Sequence, residues 1–549
     1  MTYSNGGELL VAVLRAAGVD TVFGVISVHN LPLVEAVDAA MTFVPVRHEA
    51  SAVNAADGYA RARGGLGCAL TSTGTGAGNA AGSLVEALTA GSSVLHVTGQ
   101  VPTSYLGQGR GFIHETKDQA GMLAAVSRSA VTILDADTAA TVLERAVAVA
   151  LRAPGGPVSV EWPIDLQYAP CCRSDASPDV PAEDLDEDAL EEAVTLLAGA
   201  RRPLVWAGGG AVRAGGPLAE LVDRLGAGLF TSNAGRGAVP EDHPLCVGNY
   251  ATSPAGQALL DDADVLLTLG SHYRSNETHT YKLRLPVVHL QVDVDPAALG
   301  RCYPVKVAVR ADVEPVLRTL LARLDGSATE AGWRDRVQQT HAAVRQAQRA
   351  ALGPAHAALC DALRAALPRD GVLARDVTIA SSSWGNRLLE MYEPRSNVFP
   401  RGGGIGQGLG MGIGAAIGRP EVPVVVMAGD GGLAVHLGEL LTLAQERPWL
   451  TLLVFNDRGY GVLRNMQEGA GRPKAGVDLH TADFGALAAA IGLPYSLVDD
   501  AAQAHDVLAA AVAAPGPHLV EIDVDALGPM PEPFTPPVEV PVTAAGAGR

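Results

Sequence analysis

The chain has 549 residues, too many for one hydrophobic core and enough for about three domains of ordinary size. A formal net charge of −19 argues against nucleic acid and anionic membranes as partners. Apolar residues make up 48% but aromatics only 4%, so the cores must be built from Ala, Val and Leu. No run approaches the ~20 apolar residues of a membrane span, and the N-terminus enters an amphipathic helix with no basic leader, so a cytoplasmic protein is expected. Cysteines at 68, 171, 172, 246, 302 and 360 show neither zinc spacing nor a disulfide framework.

In chain order, residues 1–165 alternate short apolar strands (VDTVFGV, TFVPVR, GLGCALTST, SSVLHVTG, GPVSVEWP) with small-residue helices. That pattern predicts a parallel sheet covered on both faces. Residues 166–186 are polar and Pro-rich and read as a linker; 187–325 form a second α/β unit. Its Gly208-Gly209-Gly210 follows a strand but lacks GxGxxG spacing, so a tight turn is preferred to a phosphate loop. A charged, Ala-rich helical stretch (326–355) leads to a third unit, 356–527, and a Pro-rich tail, 528–549, whose first part is expected to drape over a neighbouring surface. The fold class is therefore α/β, with three doubly wound parallel-sheet domains.

The third unit carries the strongest signal. The strand VVVMAG runs into Gly429-Asp430-Gly431-Gly432, a helix bearing Glu439 follows, and LLVF ends in Asn456-Asp457. Asp430 and Asp457 then lie at the carboxyl ends of two parallel strands, where oxygen ligands can hold a hard divalent cation and, through it, a diphosphate. Glycines let the backbone approach phosphate oxygens, and a helix start offers free N–H groups. Far upstream, RHEASAVNAADGYAR (47–61) places Glu49 ahead of a small-residue helix, followed by TSTGTGAGN (71–79). Alone, Glu49 reads as a carboxylate favoured at a helix start. With GLGMGIGAAIG (408–418) added, these motifs resemble those of thiamine-diphosphate (ThDP) enzymes of the acetolactate synthase, benzoylformate decarboxylase and benzaldehyde lyase superfamily.

The resemblance implies roles. Glu49 would hydrogen-bond the aminopyrimidine and so generate the ylid. Asp430, Asp457 and the Gly459 carbonyl would hold Mg²⁺ or another divalent cation, with Asp457 standing where asparagine is commoner. Gly431, Gly432 and Thr378 would meet the diphosphate, although Thr378, which with Asp376 and Val377 follows the strand GVLAR, reads equally as a helix cap. Gln407 and Gly408 would offer backbone groups to the pyrimidine, and Leu409 would bend the cofactor from below. Above it, His29 (FGVISVHNLP) and His114 (GFIHETKDQ) would relay protons. Val28, Thr71, Ser72, Val462 and Met466 would line the substrate pocket. Arg464 would either pair with a substrate carboxylate or stay solvated. His48 is expected to face away from Glu49, as strand neighbours do, and His96 and His436 are left as structural.

The implied reaction is acetolactate-synthase-like: a 2-oxo acid loses CO₂ and the resulting enamine adds to an aldehyde or ketone. Alternatives are benzaldehyde-lyase-like cleavage or formation of hydroxyketones, simple decarboxylation of benzoylformate type, and a flavin-dependent oxidase, with FAD possible but unsupported. Active sites shared between chains would make the protein a homodimer, most often paired into a homotetramer.

Overall fold

Each stretch of alternating strand and helix closes into its own six-stranded, wholly parallel sheet in the computed structural model, which describes residues 2–172 and 185–536. In the first domain the strands are Thr21–Gly24, Thr42–Pro45, Gly67–Thr71, Val94–Gln100, Ser129–Thr132 and Val158–Pro163. In the third they are Val372–Arg375, Asn397–Val398, Val424–Gly429, Leu450–Asn456, Tyr495–Val498 and Pro517–Asp523. Both sheets run second strand, first, third, fourth, sixth, fifth, so these two domains are topological copies. The central sheet (Pro203–Ala207, Gly228–Thr231, Cys246–Gly248, Val265–Leu269, Val288–Asp293, Val307–Arg310) runs third, second, first, fourth, fifth, sixth, the doubly wound order of dinucleotide-binding folds. Inner strands such as Val424–Gly429 and Leu450–Asn456 are buried at every position, as strands covered by helices on both faces must be.

Two segments differ in detail from expectation. The linker expected from residue 166 begins as the end of a short helix, Ile164–Tyr168. It continues as a two-residue strand, Cys171–Cys172, paired antiparallel with Thr2–Tyr3. Residues 173–184 of that linker lie outside the described residues. The helical connection is one long element, Trp333–Ala366, kinked at Gly353 (φ 73°) because Pro354 cannot donate to the preceding turn. Val337 and Val344 from its first half join the central core, while Leu359 and Leu363 from its second half join the third. Residues 528–536 do drape over a neighbour: Gly528 O accepts from His356 Nε2 (3.1 Å) and Phe534 O from Asn465 Nδ2 (2.9 Å). The rest of the expected tail, 537–549, is outside the described residues.

The first and third domains meet through helices Glu49–Arg63 and Gly408–Gly418. Small residues permit this contact. A Cβ on Gly58 would stand 1.9 Å from Met411 O, and one on Gly414 1.8 Å from Ala55 O, so the backbones touch directly. Arg61 Nη1 donates to Phe399 O (2.6 Å), and the buried Glu86 carboxylate accepts the Arg401 and Gly402 N–H groups. This packing sets the Glu49 end of one domain against the Gly408 end of the other.

His96 is fully buried on the first sheet, its ring nitrogens bonded to Thr71 Oγ1 (2.8 Å) and Ser159 Oγ (3.0 Å). Burial holds this imidazole down at about 4, against 6.5 for the free group. Between those values the unfolded chain binds the extra proton and the native one does not, so stability falls as pH drops through the window, by about 3 kcal/mol at its lower end. His96→Asn should remove that acid-dependent loss, as urea titrations at pH 7 and near pH 4.5 would show. An unchanged difference between the two pH values would contradict it.

Candidate active site

The third-domain half of the site is built at the carboxyl edge of its sheet. Asp430 follows the strand Val424–Gly429 directly and is 2% exposed. Its Oδ1 accepts the Asp457 N–H (3.4 Å), whereas Oδ2 is buried without a partner. Asp457 follows the strand Leu450–Asn456. Burial first, and the facing Asp430 carboxylate second, push its carboxyl up to about 7; burial likewise raises Asp430. A buried carboxylate facing a half-buried one is unfavourable without positive charge between them. Glycines make the space: a Cβ on Gly461 would stand 1.8 Å from Asp457 Oδ2, and one on Gly431 3.0 Å from Gly459 O. The Thr378 hydroxyl sits beside Gly429, 3.2 Å from where its Cβ would be.

Asp376 is the residue that sequence reasoning placed but gave no role. It is buried, and its carboxylate accepts the N–H groups of Val377 (2.7 Å), Gly406 (3.1 Å) and Gly408 (3.0 Å). It thereby holds the start of the Gly408–Gly418 helix. An acidic residue immediately after the apolar strand was the available signal. The Gly408 N–H is consequently spent on Asp376, and the Gln407 carbonyl accepts the Met411 N–H (3.0 Å). The free polar group here is instead the Gln407 side-chain oxygen, buried without a partner. Leu409 is 2% exposed and packs in the third-domain core.

The first-domain half also lies at the carboxyl edge of its sheet. Glu49 is the first residue of its helix rather than the last of a strand. His48 therefore does not face away by strand alternation; it caps the helix, Nδ1 accepting the Ala50 N–H (3.1 Å), and its ring lies 5.2 Å from that of His436. Glu49 Oε2 accepts from Asn79 Nδ2 (3.0 Å), and a Cβ on Gly76 would fall 2.8 Å from Glu49 Oε1. Glu439, buried on the third domain, accepts the Arg47 N–H (3.0 Å) and so fixes the chain two residues before Glu49. His436 Nδ1 bonds the Gly406 carbonyl (2.8 Å).

His29 and His114 come together. Their Nδ1 atoms are 3.4 Å apart and their rings 5.3 Å. At that contact one ring donates and the other accepts, so the pair shares a proton and both Nε2 atoms remain for other partners. His29 is 3% exposed, and burial with the neighbouring His114 holds its imidazole below the ordinary value. His114 is held at φ 67°, a left-handed conformation uncommon for residues other than glycine. Glycines again clear the space: a Cβ on Gly74 would stand 2.3 Å from His114 O, and one on Gly99 2.3 Å from His29 O. Gln167 Nε2 donates to the His29 carbonyl (2.8 Å), and Glu115 accepts the N–H groups of Gly109 and Gly111 beside His114. The Gln167 contact was not visible in the sequence, because it joins residues 138 positions apart.

Two expected pocket residues do not present their side chains there. Thr71 is fully buried with its hydroxyl on His96. Arg464 is neither solvated nor free for substrate: it bonds Asp478 Oδ1 (2.9 Å) and the carbonyls of Asp457 (3.1 Å) and Arg458 (3.3 Å). Val28 is exposed beside His29, while Val462 and Met466 are half-buried on helix Gly461–Gly469. In the central domain, a Cβ on Gly208 would stand 2.1 Å from Gly270 O and one on Gly210 2.9 Å from Gly270 Cα. Backbone packing accounts for those glycines without a nucleotide.

Residues 4–122, 190–320 and 379–522 match, in order, the N-terminal TPP-binding, central and C-terminal TPP-binding domain models of thiamine pyrophosphate enzymes. The chain is 35% identical over 525 residues to the probable 2-ketoarginine decarboxylase AruI of Pseudomonas aeruginosa, covering 94% of each. It is 28% identical to the acetolactate synthase isozyme 2 large subunit of Escherichia coli, over 95% of this chain and 96% of that one. A probable acetolactate synthase large subunit of Methanococcus aeolicus is 25% identical, over 95% and 92%.

The chain belongs to the thiamine pyrophosphate enzyme family.

It is thus an enzyme that makes or breaks carbon–carbon bonds, within a family of 2-oxo acid decarboxylases and acetolactate synthases. Among the described residues no helix is long and apolar enough to cross a membrane. The residues present fit a ThDP–cation complex. Asp430 Oδ2 is a buried oxygen without a partner, the Asp457 carboxylate interacts with Asp430, and Gly431 and Gly461 leave the space side chains would fill.

Proposed function

We propose that this enzyme is a ThDP- and divalent-cation-dependent 2-oxo acid decarboxylase that releases an aldehyde. The observation that carries the reading is the His29–His114 pair at the carboxyl edge of the first sheet. ThDP, when bound, would supply the nucleophilic carbon and the electron sink that loss of CO₂ from a 2-oxo acid requires. Asp430, Asp457 and the Gly459 carbonyl hold the cation, with Gly431, Gly432 and Thr378 at the diphosphate. Leu409 supports the cofactor, Gln407 contacts it, and Glu49 moves the proton at its aminopyrimidine. Val28, Ser72, Val462 and Met466 border the substrate.

Once CO₂ has left, the substrate carbon must take either a proton or a second carbonyl compound. Two imidazoles hydrogen-bonded to each other can pass a proton to the substrate carbon and take one back. That favours protonation, and the relative at 35% identity is itself named a decarboxylase. The order of preference therefore reverses relative to the sequence reading, which put carboligation first. Carboligation is the second reading, favoured by the acetolactate synthases that align along 95% of the chain.

We also infer a homodimer, on which Glu49 of one chain serves the cofactor held by the other, with a tetramer by pairing of dimers. Exposed apolar side chains on the loops around the two half-sites (Ile26, Val28 and Ile113; Ile405 and Val435) support a covering partner.

The test is CO₂ release from a panel of 2-oxo acids with cationic, aliphatic and aromatic side chains, with ThDP and Mg²⁺ present and products resolved by mass spectrometry. Aldehyde as the main product supports the reading; acyloin would move it to carboligation, and hydroxyketone cleavage without CO₂ release to a lyase. His29→Ala is expected to lower turnover about 10²-fold with little change in cofactor binding. Because His29 already titrates below 6.5, the acidic limb of kcat/KM should lie below that pH, and His114→Gln should move it upward. An acidic limb unmoved by His114→Gln would contradict the paired-imidazole account.

A further inference from the structure

Arg464 lies against the turn that carries two of the proposed cation ligands. It projects from helix Gly461–Gly469, and its side chain is only 19% exposed. Nη1 donates to the Asp457 carbonyl (3.1 Å) and Nη2 to the Arg458 carbonyl (3.3 Å), while Nε donates to Asp478 Oδ1 (2.9 Å). A Cβ on Gly459 would stand 2.8 Å from Arg464 Nη2, so the guanidinium lies against the glycine. The opposite side of the turn is stitched to the segment around Asp478. Tyr460 N–H donates to Val477 O (2.8 Å), Leu479 N–H donates to Arg458 O (3.1 Å), and Gly459 bridges Asp478 antiparallel.

The charges around the turn are unbalanced without it. The buried Asp430 and the half-buried Asp457 interact with each other, and Asp523 and Asp525 stand nearby. The adjacent cation, Arg458, is directed away and spent on Asp523 and Asp525. Arg464 is drawn to Asp478, yet it is the guanidinium in contact with the backbone of the Asp457–Gly459 turn itself.

We propose that Arg464 is a positioning residue for the cation site: it sets the Asp457–Gly459 turn and offsets the charge of the second carboxylate. This rests on the ThDP–cation reading only for the identity of the ligand; the charge balance is a property of the chain. Two consequences distinguish it from an ordinary surface clamp. In the cation-free protein the guanidinium stabilises a carboxylate pair that otherwise repels. Its effect must therefore depend on whether residue 457 is charged.

The experiment is a double-mutant cycle of Arg464→Gln and Asp457→Asn on the full chain, read by thermal unfolding without cofactor and again with ThDP and Mg²⁺. Expected is a melting temperature several degrees lower for Arg464→Gln alone, with Asp457→Asn cancelling most of that loss in the double variant. Arg464→Lys, which keeps the charge but loses the fork, should fall between. The rise in melting temperature on adding ThDP and Mg²⁺ should be larger in Arg464→Gln than in the unsubstituted protein, because the cation then supplies the missing positive charge. An equal loss from Arg464→Gln whether or not Asp457→Asn is present would overturn the proposal and leave Arg464 as a fold contact. Absence of any ThDP- and Mg²⁺-induced shift in the unsubstituted protein would instead overturn the cofactor reading, while the cycle without cofactor would still decide the role of Arg464.

Discussion

Glu49→Gln is expected to lower turnover by ~10²–10⁴-fold while the protein still binds ThDP and Mg²⁺. Glutamine has nearly the same volume, so the helix start, the Asn79 contact and the space left by Gly76 should all survive. What it removes is the ability of Oε1 to take and return a proton. That oxygen is the one Gly76 leaves uncovered, whereas Oε2 is committed to Asn79. Steady-state assays, with cofactor affinity measured separately by calorimetry, would separate chemistry from binding. Wild-type turnover in the glutamine variant would remove Glu49 from the mechanism.

Asp430→Ala should act in the opposite way, abolishing cofactor binding rather than the step that follows it. Loss of a buried charged ligand typically costs about 3–5 kcal/mol, so the affinity for ThDP in the presence of Mg²⁺ should fall by about 10²–10³-fold or more. The same substitution should leave the cofactor-free protein as stable as the parent or more so. It relieves a carboxylate pair in which Asp457 is pushed up to about 7 by desolvation and by Asp430 itself. A protein that binds its cofactor far less tightly yet melts no lower is a combination that simple unfolding cannot produce. Retention of tight ThDP binding would show that the cation sits elsewhere.

Much of the architecture was legible because alternating apolar strands and small-residue helices leave little choice but parallel sheets with covered faces. The Asp430 and Asp457 positions followed from the same logic, since residues just after inner strands of such sheets face the crevice. The identical strand order of the first and third domains was not legible, because strand adjacency depends on crossovers that one chain's periodicity does not encode. Loop-borne contacts were missed for a related reason. The His29–His114 contact spans 85 residues and Gln167 reaches His29 across 138, so nothing local in the sequence announces either. Arg464 shows the limit of reasoning by residue type: a cation on a helix near the site suggested a substrate carboxylate, but the nearest acceptors are the protein's own. His48 shows the limit of periodicity. Its side chain was placed by strand alternation at the very residue that caps the following helix.

The central claim is that Glu49 and Asp430 serve one cofactor site assembled from two chains. The direct measurement is the activity of hybrids formed by co-expressing the two inactive variants, Glu49→Gln and Asp430→Ala, each with a different purification tag. In a hybrid dimer one site combines the intact Glu49 of one protomer with the intact Asp430 of its partner. Random pairing should therefore restore roughly a quarter of the parental specific activity in the mixed population, and about half in dimers carrying both tags. A hybrid preparation as inactive as either parent would contradict the account, and would place both carboxylates of each working site within a single chain.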